Sequence, residues 1–363
     1  MTRRNLLIRP QKTPLQGVTA VPGDKSISHR AVMFAAIAEG TSHIRRWLPA
    51  GDTLATLDMV QAMGVGVTID KKSATAWDLT VEGRGLRGMQ PPDGALDARN
   101  AGTCMRLMAG ILAGQDFPVV VDGSAQLRKR PMGRIATPLA QMGADIVTTD
   151  GKAPLHITPA PLHAIEYEMP VASAQVKSAL LLAGLFADGP TRVYEPGPAR
   201  DHTERLLTAM GADISAADGW VTMQPQTEPL QPLDLTVPGD ISSAAFLLVA
   251  GSIVPHSQLT IRNVGVNETR TGILAMLAAM GAAVSLQNQR LSGGEPVADL
   301  EVSFDELHSA EIRGPMVVRG IDELPILAVA AAQAAGATAV SDAAELRVKE
   351  VDRISVLAGE LRK

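Results

Sequence analysis

The sequence predicts an α/β protein assembled from a repeated unit of strands and helices. Three observations carry this prediction. The phrase Met-Gly followed by Ala or Val recurs as Met63-Gly64-Val65, Met142-Gly143-Ala144, Met210-Gly211-Ala212 and Met280-Gly281-Ala282, with the methionines 79, 68 and 70 residues apart. A second phrase keeps step with it: a polar residue opening a run of Ala, Leu, Val and Met that ends at Gly, starting near Ser26, Thr103, Ser178, Ser242 and Glu323. Strand-like and helix-like apolar patterns interleave in every interval.

Each unit reads in the same order. A short strand leads to a turn marked by Gly or Ser, and a helix rich in small residues follows. A strand such as Ser42-His43-Ile44-Arg45 comes next, then a second helix ending at Met-Gly, where the glycine suits a helix C-cap. Strands such as Val65-Gly66-Val67-Thr68-Ile69 and Trp77-Asp78-Leu79-Thr80-Val81 close the unit. The tetrad Val21-Pro22-Gly23-Asp24 returns as Val237-Pro238-Gly239-Asp240, each time before a Ser-containing helix start. Pro-Gly marks a turn, so the tetrads read as hinges. Residues 23–238 then form a first domain of three repeats, 239–363 a second, and 1–22 the start of that second domain. Leu357-Ala358-Gly359-Glu360-Leu361 reads like the approach to a fifth Met-Gly phrase, so the expectation is a second domain cut short within its repeats.

Composition bounds the function. A chain of 363 residues is long for one core and suits two domains. With 46% hydrophobic but only 3% aromatic residues, the core must be packed from small aliphatic side chains. A net charge of −5 argues against a general nucleic-acid binder. The single cysteine, Cys104, cannot form an internal disulfide and points to a reducing compartment. No apolar run reaches the ~18–20 residues of a membrane span, and the basic start Met1-Thr2-Arg3-Arg4 has no signal-peptide apolar core behind it. The expected location is the cytoplasm.

Several segments set polar groups at helix starts. In Gly23-Asp24-Lys25-Ser26-Ile27-Ser28-His29-Arg30, Ser26 or Ser28 can cap a helix whose free N–H groups attract anions, with Lys25 and Arg30 adding charge. An ordinary capped helix with two surface cations reads equally well. The Gly-x4-Gly-Lys-Ser/Thr phosphate loop is absent. In Asn100-Ala101-Gly102-Thr103-Cys104-Met105-Arg106, Gly102 admits a ligand close to the backbone and Thr103 can cap the next helix, although a plain strand-to-helix turn explains the segment as well. Cys104, with no base beside it, reads as a buried small residue. Arg128-Lys129-Arg130-Pro131 is a solvated loop or an Arg poised to fork onto a carboxylate or phosphate. Ser173-Ala174-Gln175-Val176-Lys177-Ser178 and Ala199-Arg200-Asp201-His202-Thr203 mark further helix starts, the latter read as a capping Asp beside a surface His. Asp322-Glu323 and Arg347-Val348-Lys349-Glu350-Val351-Asp352-Arg353 place carboxylates among cations, as a solvated ion-paired face or a proton-transfer site. No His/Cys cluster has metal-ligand spacing. If the repeats pack about a symmetry axis, the helix starts near Ser26, Thr103 and Ser173 converge on one cleft for a multiply anionic ligand.

Taken in order, Pro22-Gly23-Asp24-Lys25-Ser26, Asn100-Ala101-Gly102-Thr103, Lys129-Arg130-Pro131, Ser173-Ala174-Gln175, Arg200-Asp201-His202-Thr203, Asp322-Glu323 and Leu346-Arg347-Val348-Lys349-Glu350 resemble the 5-enolpyruvylshikimate-3-phosphate synthase family of enolpyruvyl transferases along the whole chain. The resemblance implies two domains of βαβαββ units around pseudo-threefold axes, with the last repeat missing here. It implies transfer of the enolpyruvyl group of phosphoenolpyruvate to the 5-hydroxyl of shikimate 3-phosphate with release of phosphate, no metal or organic cofactor, and a monomer. Carried over by position, Lys25, Ser26, Arg30, Ser173, Ala174, Gln175 and Arg200 would hold shikimate 3-phosphate. Gly102, Arg130, Arg353 and Lys25 would hold phosphoenolpyruvate, with Gln175 nearby. Asp322 would take the proton of the attacking hydroxyl, Lys349 would orient that hydroxyl or the ring, and Glu350 with Lys25 would move the proton at the methylene carbon. Arg99 and Val351 stand where the family has Gly and Ser or Thr. The related UDP-N-acetylglucosamine enolpyruvyl transferases commonly use a loop cysteine as acid, and Cys104 lies in the wrong motif for that role. A non-catalytic relative that binds shikimate 3-phosphate without turnover is the alternative.

Overall fold

The structure is a computed structural model and describes residues 13–348 and 351–363. Strand β1 (Gln16–Ala20) leads through the first tetrad into α1 (Lys25–Ile37), β2 (Glu39–Trp47), α2 (Gly51–Ala62), β3 (Gly66–Ser73) and β4 (Ala76–Arg84). The second unit is β5 (Leu96–Asp97), α3 (Gly102–Leu112), β6 (Val119–Asp122), α4 (Gly133–Gln141), β7 (Asp145–Thr149) and β8 (Lys152–Thr158). The third is β9 (Glu166–Glu168), α5 (Ala174–Gly184), β10 (Thr191–Tyr194), α6 (His202–Ala209), β11 (Ile214–Ala217) and β12 (Trp220–Met223). Strand β13 (Asp234–Thr236) enters the second tetrad, followed by α7 (Ile241–Ile253), β14 (Gln258–Gly265), α8 (Gly272–Ala279), β15 (Val284–Ser292) and β16 (Glu295–Ser303). The last elements are β17 (Glu311–Ile312), α9 (Pro315–Arg319), α10 (Leu324–Ala331), β18 (Ala339–Val340) and α11 (Arg353–Leu361).

The α/β expectation is met, and the repeat is visible in the sheets. Among the described residues, four sheets of four strands have the orders β13-β2-β4-β3, β5-β6-β8-β7, β9-β10-β12-β11 and β1-β14-β16-β15. In each, the first pair is parallel and the others antiparallel. Among the described residues the fifth sheet has two strands, β17 and β18, also parallel. Helices α2, α4, α6 and α8 all end one residue before the Met of a Met-Gly phrase. The glycines that follow have φ of +81°, +91°, +92° and +92°, a left-handed C-terminal stop that a side chain would strain.

Two hydrophobic cores follow from this layout. One runs from Ile27 to Val237, and the other holds Val21 with residues from Ile241 to Leu346. Each lobe takes its opening strand from across the hinge. β1 pairs with β14 in the sheet of the second core, and β13 pairs with β2 in the first. The tetrads therefore cross, and the crossing is reciprocal: Asp24 N–H donates to Pro238 O at 2.8 Å, and Asp240 N–H donates to Pro22 O at 2.9 Å.

Inside the first lobe α1, α3 and α5 are buried on nearly all sides. Small residues let them approach closely. A Cβ on Gly110 of α3 would lie 2.2 Å from the Ala179 carbonyl of α5, so glycine sets that spacing. In the second lobe α7 and α10 are as apolar as those helices, yet Phe246 on α7 is 61% exposed and Val329 on α10 is 36% exposed. Among the described residues, no helix is long and apolar enough to cross a membrane.

Candidate active site

The helix starts are built differently from the expectation at four helices, α1, α3, α5 and α6. Asp24, not Ser26 or Ser28, caps α1: its backbone is extended and its Oδ1 accepts from Ile27 N–H at 2.9 Å. Ser28 is buried and instead accepts from Leu48 N–H. Ala101 occupies the N-cap position of α3 without a side-chain bond, and Thr103 accepts from Gln175 Nε2 at 2.9 Å. His202 is a buried residue, not a surface one, with Nδ1 2.8 Å from Glu295 Oε1 in the second lobe. Asp201 caps no helix N–H; its carboxylate accepts from Arg205 and from Asn267. Ser178 lies inside α5, whose cap is Ser173, accepting from Val176 N–H.

The starts of α1, α3 and α5 are tied to one another by side chains. Gln175 bridges α5 to α3: it donates to Thr103 and accepts from Arg106 Nη1 at 2.6 Å. Arg30 of α1 donates to Thr203 Oγ1 at 2.8 Å, to Ser178 Oγ at 2.9 Å and to Ser26 O at 3.2 Å. Its guanidinium is buried, and that burial pushes it down to about 10, leaving it a cation at neutral pH. Behind it the buried Lys177 ammonium sits between the carboxylates of Glu195 and Glu204. Lys25 and Ser26 face the opening, Lys25 with its ammonium 3.4 Å from Asp52. His29, beneath them, is buried with Nδ1 2.6 Å from Thr56 Oγ1; burial first, then Lys25 and Arg30, push it down to about 3, so it is neutral.

Around Gly102 two guanidinia close in. A Cβ there would be 2.8 Å from Arg130 Nη1 and 3.2 Å from Arg106 Nη1, so only a residue without a side chain leaves both in place. Arg130 stands in the extended pre-proline conformation. Arg106 was not among the expected site residues. Its position one turn into α3, on the face of Gly102, is the signal that could have found it. Burial, then Arg130 and Arg134, push Arg106 down to about 9. Arg99, just before this turn, holds φ +51° in a region that suits glycine, and its side chain pairs with Asp58. Cys104 is fully buried, and burial pushes its thiol up to about 12, which fits a packing residue.

From the second lobe, Asp322 faces this group. Arg200 Nη2 donates to its Oδ2 at 2.5 Å and Arg353 Nη1 to its Oδ1 at 3.2 Å. The expected sites Lys349 and Glu350 lie outside the described residues. Arg347 pairs with Asp352 at 2.9 Å as an exposed ion pair, and Asp352 caps α11, which begins at Arg353. The helix starts carrying Lys25, Gly102, Ser173 and Ala174 thus lie on one lobe, with Arg200, and Asp322 and Arg353 lie on the other. Arg200 reaches across from the first lobe to Asp322 of the second, so cations and helix N-termini of one lobe meet a carboxylate of the other.

Such a site between two repeat-built α/β lobes defines a protein that binds polyanionic small molecules and carries out acid–base chemistry between them. Residues 10–363 match the family described as EPSP synthase (3-phosphoshikimate 1-carboxyvinyltransferase). A 3-phosphoshikimate 1-carboxyvinyltransferase of Citrifermentans bemidjiense is 52% identical over 362 residues, covering 99% of this chain and 83% of the relative. One from Shouchella clausii is 49% identical over 359 residues, covering 98% and 82%. The structure of EPSP synthase from Acinetobacter baumannii superposes with a TM-score of 0.89 at 45% identity, over 97% of this chain and 79% of that one. The enolpyruvyl transferase NikO from Streptomyces tendae shares the fold at a TM-score of 0.68 and 16% identity, over 90% and 75%. The chain belongs to the EPSP synthase family.

Proposed function

We propose that this chain transfers the enolpyruvyl group of phosphoenolpyruvate to the 5-hydroxyl of shikimate 3-phosphate and releases phosphate, a step of the shikimate route to aromatic amino acids. One observation carries the reading: the Asp322 carboxylate sits between Arg200 and Arg353, across the cleft from Lys25, Gly102, Arg130 and Gln175. Shikimate 3-phosphate is held by Lys25, Ser26, Ser173, Ala174, Gln175 and Arg200, with Arg30 supplying positive charge from beneath. Phosphoenolpyruvate lies against Gly102, between Arg130, Arg353 and Lys25. The two anions compete for Arg200 and Arg353, which loosens the hold of those guanidinia on Asp322.

Asp322 then takes the proton of the 5-hydroxyl as its oxygen bonds to C2 of phosphoenolpyruvate. An acid, assigned to Glu350 with Lys25, delivers a proton to C3, making a methyl group and a tetrahedral phosphate adduct. Removal of a proton from that methyl group expels phosphate and restores the double bond. Lys349 orients the hydroxyl. Closure of the lobes excludes water from the adduct. The two cores are two domains, 23–238 and 239–363 with 1–22 added to the second, hinged at the crossed tetrads. We place the protein in the cytoplasm as a monomer.

A second reading has its own support. Phe246 and Val329 are exposed on the apolar helices α7 and α10, whereas α1, α3 and α5 are buried on nearly all sides in the first lobe. In this reading the chain binds shikimate 3-phosphate through its first lobe without turnover. Phosphate release measured with both substrates, and with Lys25→Ala as control, separates the two. Release that needs both substrates and is lost in the control supports the synthase. No release, with shikimate 3-phosphate still bound in calorimetry, supports the second reading. Neither release nor binding refutes both.

A further inference from the structure

Arg270, in the turn between β14 and α8, is 4% exposed and lies where the two lobes cross. Its Nη2 donates to Ser242 Oγ at 2.8 Å and lies 3.2 Å from Asp240 Oδ1 and 3.9 Å from Glu323 Oε1; its Nη1 is 3.6 Å from Asp24 Oδ2. Ser242 in turn donates to Glu323. One guanidinium thus gathers three carboxylates from three chain segments. Those carboxylates are placed tellingly. Asp24 immediately precedes Lys25 and Ser26 and caps their helix; Glu323 immediately follows Asp322 and stands at the N-cap of α10. Asp240 caps α7, and its N–H is bonded to the first tetrad.

A buried ion cluster is an expensive way to fill a core, since apolar side chains of the same volume are often no less stable. This one is also unbalanced. Burial pushes Asp240 and Glu323 up, with Asp24 adding to the effect on Asp240, while Arg270, His202 and the Ile27 N–H hold Asp24 down against its burial. A fork of fixed geometry that reaches several carboxylates at once does something no point charge can do: it sets the distance between the segments carrying them.

We propose that Arg270 is a positioning residue that holds Lys25 and Ser26 of the first lobe in register with Asp322 of the second, through the carboxylates adjoining them. The proposal rests on the synthase reading for its kinetic consequence but not for its structural one. The test is Arg270→Lys, which keeps the charge and loses the fork. Spin labels on Lys72→Cys and Gln287→Cys, exposed positions on the two lobes, report the inter-lobe distance, because Cys104 is buried and does not label. The distance distribution is expected to broaden at least about twofold. In the assay kcat is expected to fall by about tenfold to a hundredfold, with shikimate 3-phosphate affinity within about threefold, because Lys25 and Ser26 stay on α1 with Arg30 in the first lobe, beside Ser173 and Gln175, and what shifts is their register with Asp322. Glu323→Gln is expected to give the same pattern more weakly. An unchanged distance distribution overturns the proposal, whether kcat is unchanged or falls only with the folded fraction. If the parent protein releases no phosphate, the synthase reading fails while the distance measurement still decides the role of Arg270.

Discussion

Acidification should destabilise this protein through a histidine that takes up its proton only well below the usual imidazole range. His29 is fully buried on α1, and its Nε2 has no hydrogen-bond partner among the described residues. Burial, then Lys25 and Arg30, push it down to about 3 from an ordinary 6.5, with Asp24 opposing. Between those values the unfolded chain carries a proton that the folded chain does not. Stability therefore rises with pH across that window and is lost as pH drops below the unfolded value. At about pH 5, some 1.5 units below the unfolded value, the loss is about 2 kcal/mol, and it grows to about 4 kcal/mol near pH 3. Urea unfolding at about pH 7.5 and about pH 5 measures it, in the parent and in His29→Asn, which keeps a polar edge toward Thr56 but does not titrate. The parent should lose about 2 kcal/mol more than the variant across that interval. Because other titrating groups are common to both proteins, equal losses would refute the buried neutral imidazole and the argument built on it.

Two further predictions concern the site and its support. In Gly102→Ala the new methyl group falls 2.8 Å from Arg130 Nη1, so that guanidinium must withdraw; KM for phosphoenolpyruvate should rise by about tenfold. Calorimetry should show shikimate 3-phosphate binding little changed, and an equal weakening of both would show that the change is not local to Arg130. Lys177→Met leaves Glu195 and Glu204 facing each other without their cation, which should cost about 3–5 kcal/mol in chemical denaturation. Adding Glu195→Gln and Glu204→Gln should recover most of that loss, and a loss below about 1 kcal/mol in the single variant would contradict a buried ion cluster.

What the sequence determined by itself was periodic and local. The Met-Gly phrases end α2, α4, α6 and α8 as read, because a left-handed C-terminal residue is a demand of the chain on itself. Cys104 was legible as a packing residue because its neighbours along the chain are apolar and include no base. The strand-helix interleaving gave the fold class for the same reason.

Partners distant in sequence were decided by the tertiary structure alone. Nothing within a few residues of His202 says that Glu295, from the other lobe, will bury it. The choice of Asp24 over Ser26 as cap turns on which residue is extended, and the crossed hinge sets that through the bond to Pro238. The exchange of β1 and β13 between sheets leaves no local mark, since strand pairing is a contact between remote segments. Arg270 reads in the sequence as one cation in a polar turn. Only the tertiary structure brings Asp240 and Glu323 of its own lobe around it, and only the crossing of the lobes adds Asp24, because burial and charge pairing depend on the path of the whole chain.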